Sequence, residues 1–158
     1  MRKTAVDRAR VARATTDGTG FACVGTVTGP VFHLSFPVRD LDASIAFYQN
    51  VLGCTLGRRE PVWADIALFG AQVTLQHVPG DVLDPMPRSR HFGATLGWSE
   101  WEALIARLTQ FVEAPRIDYA GEPREQAKAM IVDPSGNFIE LKAYRESETV
   151  LGVLGAAG

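Results

Sequence analysis

The chain has only two cysteines, Cys23 and Cys54, in 158 residues. Two thiols are too few for a disulfide scaffold or a thiolate zinc site. They are expected to stay reduced. A marked excess of one sign of charge is absent as well. A net charge of −2 gives no general case for binding nucleic acid. No apolar run approaches the roughly 18 residues that a bilayer span needs. The N-terminus lacks the ordered basic, apolar and small-residue segments of a secretory signal. These absences lead to the expectation of a cytoplasmic protein with neither a nucleic-acid nor a membrane partner. Histidine is also rare. His33, His77 and His91 are the only three, so each can be weighed singly.

What remains is enough for one compact domain with a sizeable core. Hydrophobic residues make up 46% of the chain, as in folded rather than disordered proteins. Residues 1–29 mix charge, threonine and glycine and read as an N-terminal arm. Residues 30–145 read as a single domain, with modules at 30–79 and 88–145. Residues 146–158 form a partly apolar tail, which either packs or hangs free.

In the first module Val31–Val38 reads as a strand, with Phe32, Leu34 and Phe36 on one face and His33 and Ser35 on the other. Asp40 is placed to cap a helix whose apolar positions are Leu41, Ile45, Tyr48 and Leu52. Gly53 is placed to end it. Strands are expected at Thr55–Arg59, Trp63–Leu68 and Gln72–Val78, with Gly70 in a turn. The connector "PGDVLDPMPRSR" is rich in proline and polar residues and divides the domain. The order then recurs. "RHFGATLGW" reads as a strand. Ser99 with Glu102 suggests a capping box for a helix through Leu108. A strand in "VEAPRIDYAGE" and two more around the Asp133–Asn137 turn complete the second module. A repeated strand–helix–three-strand unit constrains the fold more than any single propensity does.

Placing the two units in register aligns His33 with His91 and Thr74 with Glu140. Glu140 lies in the apolar stretch "GNFIELKAY", where a carboxylate needs a compensating group. Arg39, Arg116, Lys142, solvent or a metal would each serve. If the first and last strands of both units face one cavity, two imidazoles and a carboxylate meet beside a threonine. Two histidines and a carboxylate form the facial triad of non-haem Fe(II) sites, which leaves coordination positions open. Such positions let an ion polarise a carbonyl, activate water or bind oxygen.

With these segments identified, the chain resembles the vicinal oxygen chelate superfamily, the group of glyoxalases, bleomycin-resistance proteins and extradiol dioxygenases. "HLSFPVRDLDASIAFYQNVLG" is similar to its opening strand and helix, "HFGATL" to the start of its second unit, and "DPSGNFIELKAY" to its terminal hairpin. The resemblance covers about Val31 to Arg145 and includes small dioxygenase-like members. It implies an α+β fold in which paired βαβββ modules form a cupped mixed sheet around a central cavity. It maps the family's metal-binding positions onto His33, His91 and Glu140. The glyoxalase pattern has a further ligand at the position of Thr74, so the threonine counts against lactoylglutathione lyase chemistry. A homodimer is the family default, and glyoxalases can assemble sites across a dimer.

The resemblance implies a metal-dependent, dioxygenase-like enzyme acting on a small substrate with chelating oxygens. Fe(II) is the favoured ion, with Zn, Mn, Ni or Co as alternatives. A non-redox glyoxalase-like isomerase, lyase or hydrolase, or a metal-free resistance protein that binds a small molecule, remains open. Extradiol chemistry also needs an acid or base near the substrate. Tyr119 and Glu122 are the candidates, each with a structural or surface role as the alternative. Strand alternation turns His77 away from the cavity. Trp63, Phe92 and Phe138 line an aromatic pocket or serve as ordinary core.

Overall fold

The computed structural model describes residues 29–148; most of the expected tail and nearly all of the expected N-terminal arm lie outside them. The first unit runs β1 (His33–Val38), α1 (Leu41–Asn50), β2 (Thr55–Glu60), β3 (Trp63–Leu68) and β4 (Ala71–His77). The second runs β5 (His91–Leu96), α2 (Trp98–Ile105), β6 (Glu113–Asp118), β7 (Gln126–Val132) and β8 (Phe138–Tyr144). The fold is two βαβββ modules, as the repeat implied. Each builds its own four-stranded mixed sheet, ordered β1-β4-β3-β2 and β5-β8-β7-β6. In both, the first strand runs parallel to the last, and the remaining pairs are antiparallel. Parallel neighbours need a long crossover connection, and here it runs through one helix and the two intervening strands of the same sheet.

Local chemistry accounts for the helix ends. The Asp40 carboxylate accepts from the Ala43 N–H at 2.9 Å, which satisfies one of the otherwise open donors of α1. Gly53 takes a φ of 72° just beyond that helix. The second cap differs from expectation. α2 begins at Trp98, and the Glu100 carboxylate accepts from the Gly97 N–H at 3.0 Å. Ser99 therefore lies inside the first turn. Glu102 instead accepts from the Trp98 indole at 2.9 Å.

One hydrophobic cluster draws on both units. Val73 and Leu75 of β4 and Ile139, Leu141 and Ala143 of β8 are buried in it. Strand alternation sends the intervening residues to the opposite, open faces. Tyr48 and Leu52 from the α1 region and Trp101 and Leu104 from α2 fill the space beneath the sheets.

The turn between β7 and β8 ties the units together. Asp133 Oδ1 accepts from the N–H groups of Ser135 and Asn137, both at 2.8 Å. Gly136 has a φ of 91°, which the turn requires and an L side chain resists. Across the junction, the Arg39 N–H donates to Ser135 Oγ at 2.9 Å, and its guanidinium donates to the Ser135 carbonyl at 3.0 Å. The Tyr48 hydroxyl donates to Asp133 Oδ2 at 3.1 Å. Phe36 packs on Phe92 with ring centroids 4.9 Å apart.

Candidate functional site

The strand registers reproduce the alignment of the two repeats. His33 pairs with Gln72, and Thr74 lies two residues farther along β4. His91 pairs with Phe138, and Glu140 lies two residues farther along β8. His33 and His91 therefore hold equivalent positions, as do Thr74 and Glu140. Thr74 also pairs with Asp65 on β3, just as Glu140 pairs with Met130 on β7.

The second sheet brings two of the expected ligands together. His91 Nε2 lies 3.4 Å from Glu140 Oε2, with side-chain exposures of 36% and 16%. His91 Nδ1 lies 2.9 Å from the Arg88 carbonyl. A carbonyl only accepts, so that contact puts a proton on Nδ1. In the neutral ring the Nε2 lone pair then faces the carboxylate. Either a protonated ring donates from Nε2 to the carboxylate, or a cation lies between or beside the two groups. The cation at hand is Lys142, whose ammonium lies 2.7 Å from Glu140 Oε2. Among the partners expected for Glu140, the lysine fills the role in this chain; Arg39 bonds Asp84 and Ser135, and Arg116 bonds Glu113 and Asp118.

A backbone feature shapes this site. Gly93 stands opposite Glu140. A Cβ added there would come within 1.8 Å of the Glu140 carbonyl oxygen. The glycine is what lets β5 approach the strand that carries the carboxylate.

His33 does not join this pair. Among the described residues no three of His, Cys, Asp and Glu come together in a way that could hold an ion. His33 and His91 belong to the first strands of separate sheets. The groups near Thr74 form a different network. Its hydroxyl donates to Asp65 Oδ1 at 2.6 Å, and Gln72 Nε2 donates to Asp65 Oδ2 at 3.3 Å. Arg58 Nε donates to the same Oδ2 at 2.8 Å. Burial pushes the Asp65 carboxyl up, but the bonds from Thr74, Arg58 and Gln72 together with the Arg58 charge outweigh it. Its pKa settles below the ordinary carboxylate range. Sequence reading passed over Asp65 and Arg58. The signal for Asp65 was present: an acid in an apolar strand, the same oddity that drew notice to Glu140.

The other expected residues lie apart. Tyr119 and Glu122 sit in the turn between β6 and β7. Arg124 stacks on the Tyr119 ring at 3.9 Å and donates to Glu122 at 2.8 Å. His77 Nε2 contacts the Arg39 carbonyl at 3.1 Å. Phe92 packs on Phe36. Trp63 lies beneath the Arg58 guanidinium, and Phe138 lies 5.9 Å beneath that of Arg88. No helix among the described residues is long and apolar enough to cross a membrane.

Comparison with known proteins places this architecture. No curated protein matches the chain. A glyoxalase/bleomycin resistance protein/dioxygenase from Alicyclobacillus acidocaldarius is 30% identical, with a TM-score of 0.65 over 77% of this chain and 96% of its own. A protein of the same description from Nocardioides is 27% identical, with a TM-score of 0.53 over 75% of this chain and 86% of its own. The fosfomycin resistance protein FosX from Listeria monocytogenes shares the fold at 15% identity, with a TM-score of 0.60 over 78% of this chain and 100% of its own. The profile of the Glyoxalase/Bleomycin resistance protein/Dioxygenase superfamily matches residues 31–141. Two repeated modules, equivalent histidines and this match agree: the chain belongs to the glyoxalase/bleomycin resistance protein/dioxygenase superfamily.

Proposed function

We propose that the protein is a divalent-metal enzyme whose site forms between two copies of the chain. His91 and Glu140 of one subunit would hold the ion together with the partner subunit's His33. The observation that carries this reading is the 3.4 Å approach of His91 Nε2 to Glu140 Oε2, with Nδ1 anchored on the Arg88 carbonyl. An anchored imidazole beside a carboxylate is the donor arrangement that suits a borderline divalent cation. The separation of His33 from this pair within one chain supports assembly by a homodimer, in which the first sheet of one subunit faces the second sheet of the other.

A bound ion would supply Lewis acidity toward adjacent substrate oxygens or, as Fe(II), electrons for oxygen. The chain's own groups do the rest. Arg88 fixes the ring orientation of His91. Lys142 holds positive charge beside Glu140 and stands ready to stabilise an anionic substrate oxygen. Three protein ligands with Thr74 in place of a fourth favour the dioxygenase-like pattern, with Fe(II) as the ion. Tyr119 and Glu122 remain candidates for proton transfer. The test is metal analysis after anaerobic purification, followed by oxygen electrode traces with catechols and other vicinal-oxygen compounds. Near-stoichiometric iron and substrate-dependent oxygen uptake are expected. Turnover without oxygen on Zn, Mn, Ni or Co would move the reaction to the non-redox isomerases, lyases or hydrolases.

One observation favours a second reading. Lys142 already compensates Glu140 without an ion, as a metal-free small-molecule-binding protein would need. Absence of metal after anaerobic reconstitution would select that reading.

A further inference from the structure

The open face of the first sheet carries a cavity of about 550 Å³. Val31, Gly57, Ala67 and Ala71 give it apolar walls, and Arg58, Asp65 and Gln72 form a polar end. Gln72 stands beside His33 in the strand register, so the cavity adjoins the histidine that the first sheet contributes.

Arg58 reaches this cavity through an irregularity in β2. Leu56 pairs with Ile66 and Arg59 with Ala64, so Gly57 and Arg58 together stand opposite Asp65. In a regular strand Arg58 would follow Leu56 toward the helix layer. The extra residue turns it to the open face, a use of bulges that recurs beside binding sites. Arg59 falls instead on the helix side and pairs with Asp42 in the first turn of α1.

Asp65 holds Arg58 by one edge only. Its Oδ2 accepts from Nε at 2.8 Å and lies 2.6 Å from Nη2. The Asp65 side chain is 9% exposed, whereas that of Arg58 is 72% exposed. The guanidinium also stacks 5.2 Å from the Trp63 ring. Its Nη1/Nη2 edge has no partner among the described residues. That edge matches a carboxylate bidentately. The orientation is fixed before any ligand arrives, which removes part of the entropy cost of binding.

The fold does not require this device. The second sheet also has a bulge, between Glu113 and Arg116, but it stands opposite Ala129, one residue from Met130, which occupies the position equivalent to Asp65. Among the described strand residues, a buried acid gripping an exposed arginine occurs in the first sheet and not in the second.

We propose that Arg58, oriented by Asp65, is the anion-recognition residue of this cavity, and that the substrate has an apolar body ending in a carboxylate. The proposal rests on the metal-enzyme reading for calling the ligand a substrate; the binding itself does not.

The test is calorimetric titration of the full chain with 2-naphthoate and with the neutral 2-naphthamide. Both are run on metal-loaded and chelator-stripped protein. The acid is expected to bind at least about tenfold tighter than the amide in both forms, as a charge-assisted bidentate contact requires. R58Q is expected to abolish the preference while leaving amide binding and metal content at parental values. R58K keeps the charge without the fork and is expected to lose most of the preference. Equal binding of acid and amide, binding of neither, or a preference that survives R58Q overturns the proposal. A preference lost on stripping the metal also overturns it, because the anion then sits on the ion. Absence of metal with the preference intact sinks only the metal reading.

Discussion

Lys142 Nζ and His91 Nε2 approach the same oxygen of Glu140, at 2.7 Å and 3.4 Å. The lysine thus occupies charge space that an ion would claim. K142M is expected to tighten divalent-ion binding by roughly two- to fivefold, the worth of a partly exposed ion pair. H91A and E140A are expected to weaken it far more. Competition against a chromophoric chelator measures all three. Weaker binding by K142M would mean that the lysine helps organise the site rather than competing for it.

Gly93 controls how closely β5 approaches Glu140. G93A drives a methyl group into the Glu140 carbonyl. It is expected to cost about 1–3 kcal/mol or more, as overpacking does, and to reduce metal binding as the carboxylate shifts. Denaturant melts with metal titrations check both. A variant of parental stability would contradict the close approach.

Tyr48 sets an alkaline limit. Burial first, then the Asp133 charge and hydrogen bond, raise its pKa well above the ordinary tyrosine value. The folded state holds the phenol proton more tightly than the unfolded chain does. Its stabilisation is full below the unfolded value of about 10 and is lost as pH climbs above it. Stability measured from pH 8 to 11 is expected to fall above about pH 10, and less steeply in Y48F. That variant is also expected to lose about 1–2 kcal/mol at neutral pH, for one hydrogen bond to a buried carboxylate. Parallel curves for parent and Y48F would contradict the assignment.

Asp65 acts at the other end of the pH scale. Burial raises its pKa, but the bonds from Thr74 and Arg58, the Arg58 charge and the Gln72 bond bring the net value below the ordinary one. Its stabilisation is present above the unfolded value of about 3.9 and lost as pH falls through the folded value. D65N is expected to be less stable than the parent at pH 7, with the gap narrowing on acidification below about pH 4. A gap independent of pH would show that shape, rather than charge, makes Asp65 matter.

The order of elements was legible because each unit punctuates itself: Asp40 before α1, Gly53 after it, and the "DPSGN" turn before β8. The equivalence of His33 with His91 and of Thr74 with Glu140 was legible because a repeat carries its own register. Arg58 was hidden, since strand alternation sends it to the buried side and nothing local in "TLGRRE" announces the bulge. The α2 cap was misread because "GWSE" and "SEWE" offer the same spacing of cap and acid. Only the point where the chain leaves β5 decides between them. The "DPSGN" stretch was legible as a turn. Its bonds to Arg39 and Tyr48, residues about a hundred positions away or nearly so, are tertiary and leave no mark nearby in the chain.

The most direct test is metal content in a mixture of H33A and E140A, each shown to be folded and unable to retain the ion alone. The two are unfolded together and refolded. If His33 serves the partner subunit's site, random reassociation makes about half the dimers hybrid, each with one whole site. Metal is then expected to return to about a quarter of the parental content. A mixture that stays as empty as its components, while parental protein treated alike recovers its ion, would contradict a site shared between subunits.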